Sequence, residues 1–202
     1  MELPDFTVEH LKKLPLRAIV AFTARCARRV EPLAQLPEDH PGREGRRAAI
    51  DAALRLAESF SRGEACPSAE SVVQAVDVSQ GAAGVARSCE SAAAAAAEAA
   101  HAAASAWHVM GSREAEKDEP PEERTAEARK FLGALAHDTV DLAALNAFTA
   151  AVEAYNAVGL HNEDYVAAAL NDYDELLRLK LGSYPEPGDP IDPSPGGPLG
   201  PL

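Results

Sequence analysis

Two groups of side chains in this sequence have the types and spacing of metal or acid–base chemistry. Glu98 and His101 make an E-x-x-H step and His108 follows seven residues on, so on a helix all three occupy one side. Further along, His137 and Asp138 form a doublet, with His101 or His108 upstream and Asp172 or Asp174 downstream. Imidazole nitrogens and carboxylate oxygens are donors that divalent metals take, and a metal so held can activate water for hydrolysis. Such chemistry needs the ligands to converge, which spacing alone does not provide.

The E-x-x-H step occurs once, whereas carboxylate di-iron bundles use it twice, with two further glutamates. Arg87, Glu90 and Ser105 share its side, so the stripe reads more economically as the polar face of an alanine-rich helix. The order of the second group resembles the H…HD…D ligand set of the HD-domain metal phosphohydrolases, which are also all-helical. That resemblance implies a metal-dependent phosphohydrolase, although the segment LAHDTVDL lacks the glycine and lysine often seen after the doublet. No Ser-His-Asp or Cys-His constellation stands out, and Gly81 and Gly84 follow no strand and lack the lysine of a phosphate loop. Cys26, Cys66 and Cys89 are odd in number and far apart, which indicates neither a disulfide framework nor zinc. The sequence thus assigns no catalytic, cofactor or metal residue, and the HD-like enzyme stands as an alternative to a non-enzyme.

The elements that would position these residues are helices. In Pro15 to Ala34, Ile19, Thr23, Cys26, Val30 and Leu33 recur at steps of four, three, four and three, one face of an α-helix. Arg17, Arg25 and Arg28 fall on or near its opposite side, with Arg29 at the margin. A loop at PEDHPG precedes a second helix, Arg43 to about Ser61, stopped by Gly63. A short helix capped by Ser68 follows, then an alanine-rich helix from about Gln80 to Met110, ended by Gly111. Residues 112–124 read as an exposed acidic linker. Thr125 caps a long helix whose expected core stripe is Phe131, Leu135, Leu142, Leu145 and Val152, and Asn162 opens a last one ending at Gly182. The expectation is an all-α, single-domain bundle of about six helices over residues 1–182, with the alanine-rich helix central. A Pro/Gly-rich tail, residues 183–202, is expected to be disordered.

Asp138 falls within the stripe of Leu135, Leu142 and Leu145, where an unpaired carboxylate would cost several kcal/mol. An ion pair is therefore expected between Asp138, or the nearby Asp141, and an arginine of the first long helix, with Arg29 the leading candidate.

The net charge of −13 is unevenly distributed. Residues 1–62 hold 11 Lys+Arg against 9 Asp+Glu, and the remainder holds 8 against 23. An acidic surface repels phosphate backbones and favours basic partners, so nucleic-acid binding is disfavoured. No stretch approaches the roughly 20 apolar residues that cross a bilayer, the N-terminus lacks the basic region of a signal peptide, and free thiols point to the cytosol.

The segment ARCARRVEPL, residues 24 to 33, resembles the opening helix of the all-helical immunity proteins of bacterial polymorphic toxin systems. The similarity continues through Pro37-Glu38-Asp39, RRAAIDAALRLAESF, Arg62-Gly63-Glu64 and HAAASAWH, covering roughly the first 110 residues. It implies a protein that neutralises a toxin by binding it, and it supplies no site residues. A basic toxin would be met by acids, so Glu114, Glu116, Asp118, Glu119, Glu122 and Glu123 are candidate contacts, as are Glu163, Asp164, Asp172, Asp174 and Glu175. A helical scaffold or adaptor is the other non-enzymatic reading.

Overall fold

The computed structural model describes residues 5–65, 87–118, 126–159 and 162–202, with the backbone alone for 87–88, 112–118 and 126–137. The described residues form an all-α, single-domain bundle: α1 (Val8–Leu11), α2 (Leu16–Val30), a 3-10 turn (Glu31–Ala34), α3 (Arg43–Ser61), α4 (Arg87–Asp118), α5 (Ala126–Val158) and α6 (Glu163–Leu179). No strand occurs among them. The expected short helix after Ser68 lies outside the described residues.

α2 is the centre. Ile19, Thr23, Cys26 and Val30 are buried, as their spacing predicts, but so are Ala18, Val20, Ala21, Phe22, Ala24, Arg25 and Ala27. The helix contacts α3, α4, α5 and α6, which leaves most of its circumference no solvent. Leu33, expected in the core stripe, lies in the turn after α2 and is exposed. Around α2, Phe6 meets Tyr173 edge-on with centroids 5.0 Å apart, and Phe22 meets Tyr173 at 6.1 Å. Phe60 of α3 meets Trp107 of α4 at 5.2 Å. The scarce aromatic rings thus fasten helix to helix, where edge-to-face contact adds to burial.

The most extensive pairing joins α4 and α5. Ala92, Ala95, Ala96, Ala99, Ala103 and Ala106 of α4, and Ala143, Ala144, Ala147, Ala150, Ala151 and Ala154 of α5, are all buried. Alanine favours helix and its methyl group keeps two axes close, so one residue type supplies both the element and its packing. This seam corrects the expected stripe of α5. The inward face is alanine with Val140, while Leu142 and Leu145 are 46% and 49% exposed and Val152 is only partly buried. Phe131 and Leu135 lie where only the backbone is described.

α4 also runs through Gly111 to Asp118. Gly111 is exposed and meets nothing, and the roughly 1 kcal/mol that a glycine costs a helix does not end one flanked by helix formers. Residues 112–118 are therefore helix rather than linker. α6 begins as its sequence predicts, with the Asn162 side chain accepting the Tyr165 N–H at 2.9 Å.

The tail is the largest departure from expectation. Residues 183–202 form no helix, yet they return across the start of α2 and the end of α3. Leu16 and Arg17 donate their backbone N–H groups to Glu186 and Pro187 carbonyls, both at 2.9 Å, and the Ile191 N–H reaches the Ser61 carbonyl at 2.8 Å. Ile191 and Leu199 are buried. Gly188 has φ +74, and a Cβ there would lie 2.5 Å from Pro15, so only glycine allows this approach. Proline excludes helix, but it leaves its carbonyl acceptor free and restricts the chain, and neither property requires disorder.

Candidate functional site

The centre of the bundle contains a charge cluster. Arg25, 1% exposed, donates from Nε to Asp172 Oδ2 at 2.7 Å and from Nη2 to Asp172 Oδ1 at 3.1 Å. Its remaining N–H groups take four carbonyls of the tail: Pro193 and Gly200 through Nη1 at 3.2 and 2.9 Å, and Leu199 and Pro201 through Nη2 at 3.3 and 2.8 Å. A planar fork thus reads a carboxylate on one edge and a run of backbone on the other, geometry that lysine lacks.

Arg29, one turn on, places Nη1 2.6 Å from Asp172 Oδ2, an ion pair without hydrogen-bond alignment. Burial works against its charge, but the Asp172 carboxylate outweighs burial and holds the guanidinium pKa above its ordinary value. Cys26 and Tyr165 complete the cluster. Burial pushes the Cys26 thiol up to about 11, and burial, with Cys26 next to it, raises the Tyr165 phenol well above its usual range. A thiol held neutral is a poor nucleophile, and atoms this enclosed reach no substrate, so the cluster ties the fold and its tail together.

This corrects the expected ion pair. Arg29 does pair with an acid, but with Asp172 of α6 instead of Asp138 of α5, which is exposed. Asp141, the other candidate, is reached by Lys12 at 3.0 Å and by the Tyr184 hydroxyl at 2.7 Å. That hydroxyl donates to the carboxylate, and burial with the carboxylate raises its pKa. Arg25 and Arg28 do not face open solvent either. Arg28 is partly buried against Glu58 at 2.7 Å, Glu31 at 2.9 Å and Asp51 at 3.5 Å, while Arg17 donates to the Gly188 carbonyl at 2.7 Å.

The pairing of Arg25 with Asp172 carried one signal in the sequence: Asp172 occupies a core position of the stripe Tyr165, Ala169, Tyr173 and Leu176. Nothing in the chain order selects Arg25 as its partner.

Among the described residues no three His, Cys, Asp or Glu side chains come together as ligands. His101 is 3.6 Å from Glu98 on its own helix, His108 is exposed, and Asp172 is committed to arginine. The side chain of His137 lies outside those described.

Of the acidic contact candidates, the backbone of Glu114, Glu116 and Asp118 is helical, and Glu119, Glu122 and Glu123 lie outside the described residues. Glu163, Asp164 and Asp174 are exposed on α6, whereas Asp172 is internal and Glu175 is held by Arg178. The surface feature that periodicity misplaced is the outer face of α5, where Asp138, Leu142 and Leu145 stand exposed together. No helix of the described residues is long and apolar enough to cross a membrane.

A scan against protein-family models finds no match, and searches of curated proteins and of solved structures find none either.

Proposed function

We propose that this chain is a non-enzymatic protein-binding module of the immunity type, which neutralises a basic toxin by covering it. The observation that carries the reading is the outer face of α5, where Leu142 and Leu145, three residues apart and nearly half exposed, lie beside Asp138. Interfaces of this kind combine an apolar centre with a polar rim, and acids at the rim steer a basic partner and raise its association rate. The charge surplus points the same way, since residues 63–202 contribute all the excess acid. The likeness of residues 24 to 110 to all-helical immunity proteins supports the same role, and the described cysteines, Cys26 and Cys89, are free thiols, in keeping with work in the cytosol.

The test is co-expression of the full chain with a basic toxin encoded beside it. A stoichiometric complex is expected, with an association rate that falls as salt rises from 50 to about 500 mM, because screening removes steering. Leu142→Asp combined with Leu145→Asp is expected to abolish the complex while the thermal midpoint stays within a few degrees of the parent, since both side chains face outward. A doubly substituted chain that binds as tightly as the parent would remove α5 from the interface, and a toxin that ignores the chain would end the immunity reading.

A further inference from the structure

Seven of the last twenty residues are proline, and proline brings a carbonyl but no N–H, so this segment accepts hydrogen bonds far more readily than it donates them. α2 faces it with the opposite surplus. The Leu16 and Arg17 N–H groups open the helix, where no intrahelical acceptor reaches them, and they donate to the Glu186 and Pro187 carbonyls at 2.9 Å. The Arg17 guanidinium takes the Gly188 carbonyl at 2.7 Å, and Arg25 takes four more between Pro193 and Pro201. Helices and paired strands use their carbonyls in their own ladders, whereas an extended proline-rich chain leaves them for a receptor.

Length matches as well. Arg17 and Arg25 are eight residues apart, about 12 Å along the helix axis. The five residues from Gly188 to Pro193 cover about 15 Å when extended, enough to bridge the two arginines. The chain then turns at Ser194 and Gly197, whose carbonyls accept from Gly197 and Gly200, and this returns Leu199, Gly200 and Pro201 to Arg25. Ile191 and Leu199, the buried aliphatic side chains of the tail, fix its register. Between these anchors Pro185, Glu186, Asp189, Pro195 and Pro198 are exposed. The tail joins α6 through residues 180–183, of which Lys180, Gly182 and Ser183 are exposed. A segment held at a few anchors, with no helix or strand of its own, opens separately from the bundle.

We infer that α2 carries a receptor site for an extended, proline-rich chain, filled by the protein's own tail as a releasable ligand, and that the outside partner it fits is the tail of a second copy. The same donors and apolar sockets serve either tail, so exchange changes no contact at the site. The resident tail acts at an effective concentration of roughly millimolar, so a second tail enters only as the resident one is weakened. The site lies on α2 and does not depend on the toxin-binding reading.

The test adds a fluorescent peptide of residues 183–202 to the full chain carrying Ile191→Asp and Leu199→Asp, whose resident tail has lost both apolar anchors. Saturable binding is expected, at least about tenfold tighter than to the parent chain. A peptide of the same composition in scrambled order is expected not to bind. Hydrogen exchange of the unaltered full chain gives the readout if the doubly substituted chain fails to fold. The Ile191 N–H, held by the Ser61 carbonyl, is expected to exchange at least about tenfold faster than the Ile19 N–H inside α2, and with a weaker dependence on urea. Equal binding of the scrambled peptide, no gain from weakening the resident tail, or an Ile191 N–H that opens only together with Ile19 would overturn the inference.

Discussion

Arg25 and Asp172 lie 147 residues apart in the chain and meet in a two-bonded contact inside the bundle, Nε to Oδ2 at 2.7 Å and Nη2 to Oδ1 at 3.1 Å, each side chain 1% exposed. The same guanidinium holds four carbonyls between Pro193 and Pro201. One residue of α2 therefore joins the last helix and the last ten residues of the chain to the core.

Removing Asp172 leaves Arg25 and Arg29 buried without a counter-ion. Asp172→Ala is expected to lower unfolding stability by about 3–5 kcal/mol, read from urea transitions. Asp138→Ala, on the exposed face of α5, is expected to change it by no more than about 0.5 kcal/mol. Equal effects at the two positions would contradict the assignment of the internal acid.

Truncation after Gly188 strips Arg25 of its carbonyl acceptors and exposes the sites of Ile191 and Leu199. Each of those side chains contributes about 1.5–3 kcal/mol by burial, so a loss of at least about 3 kcal/mol is expected in the same urea assay. A truncated chain as stable as the parent would show that the tail merely rests on the surface.

The neutral Cys26 thiol gives a pH signature. Its pKa is raised by burial from 9.0 to about 11, so the folded state retains a proton that the unfolded state releases. The resulting stability is complete below pH 9 and is lost as pH rises from 9 towards 11. Its size is about 2–3 kcal/mol. Tyr165 and Tyr184, also raised, act in the same direction at higher pH, so the Cys26→Ala protein isolates the thiol. Stability measured against pH is expected to fall less steeply between 9 and 11 in that variant, and an unchanged slope would assign the dependence elsewhere.

The alanine seam predicts an asymmetry between small and large residues on α4 and α5. Ala99→Leu puts a larger side chain where α4 meets its neighbours and is expected to cost about 1–3 kcal/mol or more, whereas Leu142→Ala, on the outside, is expected to stay within about 0.5 kcal/mol. Thermal melts of the two variants check the order.

Much of the architecture is legible in the residue pattern. The helical spacing of Ile19, Thr23, Cys26 and Val30, the alanine run, and the Asn162 cap all define local structure through interactions a few residues apart, so α2, α3 and the start of α6 are where their residues place them, while α4 runs past its expected stop at Gly111. Single-face periodicity nevertheless failed where a helix had more than one neighbour. α2 is enclosed by four helices, which put Arg25 inside, and α5 turns its alanines inward because only they fit against α4, which puts Leu142 and Leu145 outside. The candidate surface on α5 was thus hidden by the assumption that leucine marks a core.

By itself, then, the sequence determined an acidic, helical chain, the positions of α2, α3 and the start of α6, and the absence of helix in its last twenty residues, because propensity, capping and proline chemistry act locally. Only the tertiary structure decided that Asp172 and not Asp138 balances the arginines, that the tail is gripped by Arg25, and that Arg46 is buried with two nitrogens unmatched. Those outcomes depend on which distant groups share a low-dielectric interior, and desolvation selects among partners that are equivalent along the chain.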